Sequence, residues 1–350
     1  MGAKKRCLMV RAGPKAGNWI RNRAPKVPEL VEVVGLIDLN GMSLIPADQA
    51  LKVPPDRLFT DMAAGFAAVD ADFCTISVPP AFQKDAALLA IQQGMAILCD
   101  KPLGDDWQAC VDIYSAVQNA GLKMATILYF HQQPVMQTVL SVLREGNLGR
   151  VNYIVCRFGR DCREYGSWGS TFRHEIPHAL LLDGAAHHFE LLRLFSGADC
   201  RTISGWEWNP PWSTSKGAFC CLYVMEMTNG VRVSYEANNV AAGEQNSWQK
   251  EYLRVECENG AVAVGQDHIV RTYRYKLGGS LITQEVPIVT LPREGHDWLL
   301  HDFLDWLDGG PPSGTAIDNN IQTEAMVFAA IEASLSGQVV DVQAMVKAIM

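Results

Sequence analysis

The first 130 residues alternate short β-branched runs with longer amphipathic stretches, and this alternation restricts the possible folds more than any single motif does. Strand-like runs at 6–10, 31–37, 73–78, 96–98 and 124–128 are separated by helical stretches near 17–23, around 62–69, at 81–93 and at 106–120. Short apolar runs interleaved with helices predict a parallel sheet covered by helices. Gly94 and Gly121 stand where helices end on a glycine. Right-handed crossovers then wind the sheet doubly, and a ligand lies beyond the carboxyl ends of its strands.

After Pro134 the pattern changes. A helix at 135–145, a strand at 151–158, an irregular arginine- and aromatic-rich stretch at 159–177 and a helix at 178–195 lead into seven strand-like runs: 202–208, 218–227, 231–238, 252–256, 261–264, 269–276 and 281–289. Asn229-Gly230 and Asn259-Gly260 are hairpin signals between such runs. The second domain is therefore an antiparallel sheet with helices, closed by helices at 297–307 and 322–335.

Charge and cysteine content narrow the function classes. Thirty Lys and Arg against 38 Asp and Glu give a net charge of −8, and the one basic run is Lys4-Lys5-Arg6. That balance argues against nucleic acid or an anionic membrane as partner and leaves small metabolites. No apolar run approaches the roughly 18 residues of a membrane span, and Cys7-Leu8-Met9-Val10 is too short for a secretory core, so a cytoplasmic location is expected. None of the ten cysteines forms a C-x-x-C pair, and most sit in apolar runs, as reduced core thiols do.

Five stretches carry chemistry. After the first strand comes Val10-Arg11-Ala12-Gly13-Pro14-Lys15-Ala16-Gly17-Asn18-Trp19, with Gly13 in register for a phosphate-cradling turn, Arg11 at its first glycine position and Ala16 at its third. Asp38, closing the second strand, is placed to accept hydrogen bonds from an adenosine ribose and to repel a 2′-phosphate. The exits Ser77-Val78-Pro79-Pro80 and Cys99-Asp100-Lys101-Pro102 lie on the ligand edge, where Lys101 offers an ammonium to a substrate oxygen. Further on, Asp183 and His187 are four apart in a helical run, a spacing that lets a carboxylate orient an imidazole. The same spacing also suits a structural pair or half a metal site, but no convincing third ligand is near and no metal is expected.

These residues resemble the Gfo/Idh/MocA oxidoreductases, relatives of glucose–fructose oxidoreductase and inositol dehydrogenase. The likeness runs through the glycine turn with Asn18-Trp19, Val78-Pro79-Pro80, the segment from Gly94 to Leu103, Leu148-Gly149-Arg150-Val151, Asp183-x-x-x-His187 and Asp318-Asn319-Asn320. Asp100-Lys101-Pro102 corresponds to a Glu-Lys-Pro signature. Three positions depart from the pattern: Arg11, Tyr129-Phe130-His131 in place of Asn-x-Arg, and Gln83 in place of a histidine.

The resemblance implies an α/β protein with an N-terminal Rossmann domain, a doubly wound parallel sheet over residues 1–130. It implies a C-terminal α/β domain with an open, mostly antiparallel sheet over 131–350, for substrate binding and for a homodimer or homotetramer. The expected activity is NAD-dependent oxidation of a secondary hydroxyl of a sugar, cyclitol or sugar derivative. Lys101 would stabilise the reacting oxygen, His187 would take its proton, and Asp183 would hold His187. Gly13, Pro14, Lys15, Ala16, Asp38, Val78, Pro79, Gln83, Asp100 and Lys101 are the expected cofactor contacts. Tyr129, His131, Arg157, Trp168, Arg173, His178 and His188 are the expected substrate contacts, within or flanking a stretch that also holds Arg160, Arg163, Tyr165 and His174. An NAD-dependent glycosidase working by transient oxidation, or a cofactor-binding regulator without turnover, would use the same scaffold.

Overall fold

The N-terminal sheet has six strands: β1 (Lys5–Val10), β2 (Val31–Ile37), β3 (Leu58–Phe59), β4 (Phe73–Ile76), β5 (Ala96–Cys99) and β6 (Met124–Thr126), in the order β3-β2-β1-β4-β5-β6. Every neighbouring pair is parallel. The computed structural model of the chain describes residues 4–11, 22–169, 171–243, 248–276 and 278–349, with only the backbone described at 46–50. Gly13, Pro14, Lys15 and Ala16, and most of the helix expected near 17–23, lie outside the described residues.

A parallel sheet covered on both faces needs strands that are apolar throughout. Leu8, Met9, Cys74, Ile76, Ile97 and Leu98 are accordingly without exposed surface. Helices α1 (Gly41–Leu51), α2 (Met62–Ala68), α3 (Gln83–Gln92) and α4 (Trp107–Ala120) connect the strands. Asp61 and Asp106 cap α2 and α4, each accepting from a backbone N–H at 2.7 Å. Gly65 lets α2 lie close on β2, since a Cβ there would come within 2.6 Å of the Ile37 side chain. The sequence does not announce β3, which has two residues, or α1, whose Gly41 and Pro46 are poor helix formers.

The second sheet has nine strands. β7 (Val151–Gly159) lies near its centre, followed in the chain by β8 (Cys200–Trp208), β9 (Cys220–Met227), β10 (Arg232–Asn238), β11 (Tyr252–Cys257), β12 (Gly260–Val264), β13 (Val270–Lys276), β14 (Ser280–Val286) and β15 (Val340–Asp341). The order is β14-β13-β12-β11-β7-β10-β9-β8-β15, and β7 with β10 is the one parallel pair among the described residues. Helices α5 (Pro134–Arg144), α6 (Ala186–Ser196), α7 (Gly295–Leu307), α8 (Ile317–Ser336) and α9 (Val342–Lys347) complete the described set. The expected helix at 178–195 opens instead with a π-helical turn, Leu181–Ala185, that leads into α6.

The chain divides into two compact units, Met1–Leu128 with His296–Ile321, and Tyr129–Gly295 with Gln322–Met350. The sequence reading divides the chain once, at 130/131, whereas His296–Ile321 groups with the first compact unit. This segment returns to cover the first sheet. Phe303 meets Phe73 edge-on at 5.6 Å, and Lys5 Nζ reaches Asp308 at 2.6 Å. Ala316 bridges to Ala125, Thr126 N–H donates to Thr315 O at 2.9 Å, and Asn320 Nδ2 donates to the buried Thr126 Oγ1 at 2.8 Å. Strand β6 is an edge strand, and this segment occupies its open hydrogen-bonding groups.

All ten cysteines are free thiols and nine are buried; burial pushes Cys7 up to about 12, so it stays a protonated, core-filling group. Among the described residues no helix is long and apolar enough to cross a membrane.

His296, at the start of the returning segment, titrates near 4, because burial disfavours its charged form and the Arg23 guanidinium adds repulsion. The unfolded chain therefore binds this proton near pH 6.5, before the folded chain does. The contribution is complete above that pH and is lost as pH falls from 6.5 toward 4, by roughly 3 kcal/mol. Denaturant melts of the wild type and His296→Gln between pH 7 and 4 check this. The difference between them should shrink as pH falls, and parallel curves would refute it.

Candidate active site

The carboxyl edge of the six-stranded sheet gathers the predicted residues of the first unit. Backbone bonds fix the strand exits side by side: Arg11 N–H to Ile37 O at 2.6 Å, Asp38 N–H to Phe59 O at 3.0 Å, Ser77 N–H to Val10 O at 3.2 Å and Asp100 N–H to Ile76 O at 2.7 Å. Asp38 follows β2 at this edge and accepts the Asn40 N–H at 2.9 Å. Beside it Leu39 and Met42 are 66% and 72% exposed. A carboxylate flanked by open apolar surface fits an adenosine, which pairs a ribose diol with a flat base.

Val78 and Pro79 follow β4 half-buried, leading into a short 3-10 turn at Pro80–Phe82. Gln83, the first residue of α3, is buried, and its amide is engaged at both ends. Its Oε1 accepts from Cys99 Sγ at 3.0 Å and its Nε2 donates to Asp100 O at 3.1 Å. It thus braces the end of β5 from beneath. Lys101 follows, half-buried, its N–H donating to Asp100 Oδ1 at 2.9 Å and its bond to Pro102 cis. Arg11 has φ of 75° and donates from Nη1 to Ser77 O at 3.3 Å. The position expected of a glycine thus keeps a glycine-like backbone, although it carries a long side chain.

In the second unit the predicted residues separate into three groups. His187 is buried within α6 under a cage of rings, with Tyr129 at 5.4 Å, Trp248 at 5.4 Å and Phe130 at 6.3 Å, all edge-on. His188 points into the core, where Nδ1 meets Tyr235 Oη at 2.9 Å and Nε2 lies 3.4 Å from Glu251 Oε1. That carboxylate oxygen also accepts the Gln249 N–H at 3.0 Å, closing a turn in which Gln249 has φ of 70°. The turn presents Trp248 to both histidines.

Asp183 lies in the π turn, whose i→i+5 bonding widens the helix by about one residue, an irregularity frequent at functional sites. Its Oδ2 forms an ion pair with Arg173 Nε at 2.8 Å, and Arg173 Nη1 donates to Trp168 O at 3.3 Å. Trp168 is buried, with the Arg160 guanidinium 4.8 Å and that of Arg173 5.9 Å from its ring centre. It serves as a platform for cations rather than as an open face for a sugar. His174 braces this loop: its Nε2 accepts the Trp168 N–H at 3.5 Å, and burial holds its pKa below the ordinary imidazole range.

The remaining three predicted residues are engaged elsewhere. His131 Nδ1 lies 3.1 Å from Glu190 Oε2, tying the turn before α5 to α6. His178 pairs with Glu207 of β8. Arg157 binds Glu236 at 3.2 Å on the face of the sheet opposite Phe158, because adjacent strand residues point to opposite faces. There it borders a hollow of about 220 Å³ with Glu236, Asn238 and Tyr252. Sequence reasoning overlooked Trp248 and Glu251, which no motif marks, and gave no separate role to Arg160.

Comparison with known proteins gives a consistent picture. Residues 6–127 match the family model for an oxidoreductase family with an NAD-binding Rossmann fold, and residues 136–263 match the GFO/IDH/MocA C-terminal domain. An uncharacterized protein, y4oX of Sinorhizobium fredii, is 35% identical over 345 residues, covering 96% of this chain and 95% of its own. Inositol 2-dehydrogenase of Corynebacterium glutamicum is 23% identical over 269 residues, 75% of each chain. Among solved structures, an oxidoreductase from Agrobacterium radiobacter in complex with NAD+, L-tartaric acid and magnesium superposes with a TM-score of 0.84 at 18% identity, over 98% of this chain and 100% of that one.

The backbone at Arg11 generates a stability prediction. Arg11→Val, branched at Cβ in a left-handed conformation, should lower stability by about 1–2 kcal/mol, whereas Arg11→Gly should match the wild type or exceed it slightly. Urea denaturation decides between them. Equal losses in both variants would mean that the contact with Ser77, rather than the backbone conformation, governs this turn.

Proposed function

The chain belongs to the GFO/IDH/MocA oxidoreductase family, with an NAD-binding Rossmann domain, and from that premise we propose that it oxidises a secondary hydroxyl of a sugar, cyclitol or sugar derivative. The observation that carries the reading is the placement of Asp38 and Lys101 at one edge of the parallel sheet, each just beyond a strand's carboxyl end. The relative named inositol 2-dehydrogenase supports a polyol substrate.

When bound, NAD supplies the hydride acceptor. Asp38 would hold the adenosine ribose, and Gly13, Pro14, Lys15 and Ala16, which lie outside the described residues, would carry the pyrophosphate. Val78, Pro79 and Asp100 would supply further cofactor contacts, and Gln83 holds the end of β5 through Cys99 and Asp100. Lys101 donates to the reacting oxygen and stabilises its growing negative charge as the proton leaves. His187 is the base that accepts this proton at an imidazole nitrogen. Asp183, four residues earlier and paired with Arg173, is assigned the role of orienting that imidazole on the strength of its spacing from His187. Tyr129 and Trp248 shield His187 from water. On the open face of the nine-stranded sheet the paired Trp206 and Leu222 and the neighbouring Val224 are 62%, 44% and 58% exposed, which supports a homodimer or homotetramer.

NAD should bind at least ten times more tightly than NADP, since the Asp38 carboxylate meets a diol in one and a phosphate in the other. Asp38→Asn should narrow that gap in a paired titration at equal ionic strength; a wild type that prefers NADP would contradict the assignment.

Lys101→Ala and His187→Asn should each lose about 100-fold or more in kcat, with NAD affinity changed by no more than a few-fold. NADH absorbance over a panel of sugars, cyclitols and glycosides tests the reaction. A released aglycone without net NADH would indicate the glycosidase chemistry instead. In the wild type the rate of oxidation should rise with pH as the base deprotonates, and His187→Asn should abolish that dependence. An unaltered pH profile in the variant would move the base elsewhere.

A further inference from the structure

Resting on the dehydrogenase reading, we infer that Arg160 is a receptor for a carboxylate, so that the preferred substrate is an acidic polyol of the sugar-acid class rather than a neutral one. Four arginines crowd the segment from 157 to 173, and three of them are engaged with acids. Arg157 holds Glu236, Arg163 holds Asp161 at 2.7 Å and the Val240 carbonyl at 3.1 Å, and Arg173 holds Asp183. Arg160 forms no ion pair among the described residues. Its Nε donates to Asn239 Oδ1 at 3.2 Å, and its terminal nitrogens meet no protein acceptor among those residues.

The guanidinium is nevertheless held in place. It lies 4.8 Å from the ring of Trp168 and 5.5 Å from that of Phe158, and the Asn239 that anchors it is fully buried. Cation–π contact and the Nε bond fix the plane of the fork, leaving the two-nitrogen edge for a ligand. Partial burial costs such a cation hydration and lowers its pKa, a penalty that an incoming anion would offset. The same aromatic layer continues to the proposed base: Phe158 meets Trp248 at 5.8 Å, and Trp248 meets His187 at 5.4 Å. Two rings, those of Phe158 and Trp248, thus connect Arg160 to His187.

The geometry of the fork, more than net local charge, selects the anion. Arg173 and Asp183 cancel as a pair, and Glu251 is turned to His188 and the Gln249 N–H. Asp183 and Glu251 also attract Arg160 electrostatically, so the group as a whole carries no net positive charge, and what matches one carboxylate is the planar two-point geometry of the Arg160 fork. A phosphate monoester carries nearly twice a carboxylate's charge at neutral pH and has no second uncommitted cation here among the described residues.

The test compares matched probes with the full chain and NAD: D-gluconate and D-galacturonate against D-sorbitol and D-galactose. The acid of each pair is expected to have the higher kcat/KM. In Arg160→Gln the acid-over-neutral ratio should fall about 10- to 100-fold, chiefly through KM, since a charge-assisted bidentate contact is lost. Arg160→Lys should restore only part of it, because an ammonium cannot present the fork. An unchanged ratio in Arg160→Gln, or a wild type favouring the neutral probes, overturns the assignment. Calorimetric titration of D-gluconate into the protein without NAD separates this inference from the reading beneath it. Binding that Arg160→Gln abolishes, in a protein that oxidises none of the probes, upholds the receptor and defeats the dehydrogenase. Absence of binding by either acid defeats the receptor.

Discussion

A parallel sheet buried on both faces can offer polar groups only at its ends, and this constraint organises the first unit. From Cys7 in β1, throughout β5, and in β4 apart from the buried Thr75, the side chains are apolar to the last residue, and Arg11, Ser77 and Asp100 follow directly beyond. Because the strands run the same way, those exits fall on one edge, and backbone bonds from Arg11 to Ile37 and from Asp100 to Ile76 keep them in register. Chemistry collects there because nowhere else on the sheet is both rigid and reachable. The return of His296–Ile321 to β6 serves the same end, since an open edge would leave backbone groups unpaired and the sheet free to shift.

The second unit achieves rigidity by burying polar pairs instead of excluding them. His188 with Tyr235 and Glu251, His131 with Glu190, and His178 with Glu207 each join a helix or turn to a neighbouring element. Breaking any of them would strand a buried polar group, which costs more than the intact pair contributes. Around His187 these pairs hold the surrounding elements in one arrangement, and the rings of Tyr129, Phe130 and Trp248 fill the remaining space. The π turn through Asp183 belongs to the same economy: it inserts an extra residue where the helix must present a carboxylate to Arg173 and an imidazole to the ring cage.

The sequence made the long periodic elements legible, and the structure departs from it where geometry is set by contacts distant in the chain. Strands such as Val31–Ile37 and helices such as Trp107–Ala120 carry their own signals of β-branching, period and caps, and they are found within a residue or two of the expected places. Strand β3 exists only because Leu36 and Ile37 lie beside it, and the π turn has no compositional mark. Proximity in sequence also misled. Arg157 is three residues from Arg160, yet β7 directs Arg157 to Glu236 on one face and Phe158 to His188 on the other. Among the histidines, residue type suggested ligand contacts at 131 and 178, and the structure pairs them with Glu190 and Glu207, partners that no local spacing announces.

Arg11 shows how one position can combine two requirements that the family pattern meets separately. A left-handed φ at a non-glycine residue costs about 1 kcal/mol, so the side chain must return a comparable amount to be tolerated. The bond from Nη1 to Ser77 O is of that order, and it fastens the exit of β1 to that of β4, two loops a glycine would leave joined by backbone alone. The exchange is nearly neutral in stability but not in charge. A guanidinium now stands at the carboxyl edge one residue after β1, where a glycine-bearing turn offers only N–H groups. Together with Asp38 beyond the neighbouring β2 and Asp100 and Lys101 beyond β5, it gives the described part of this edge two charges of each sign, so the edge keeps a carboxylate for a ribose without being negative as a whole.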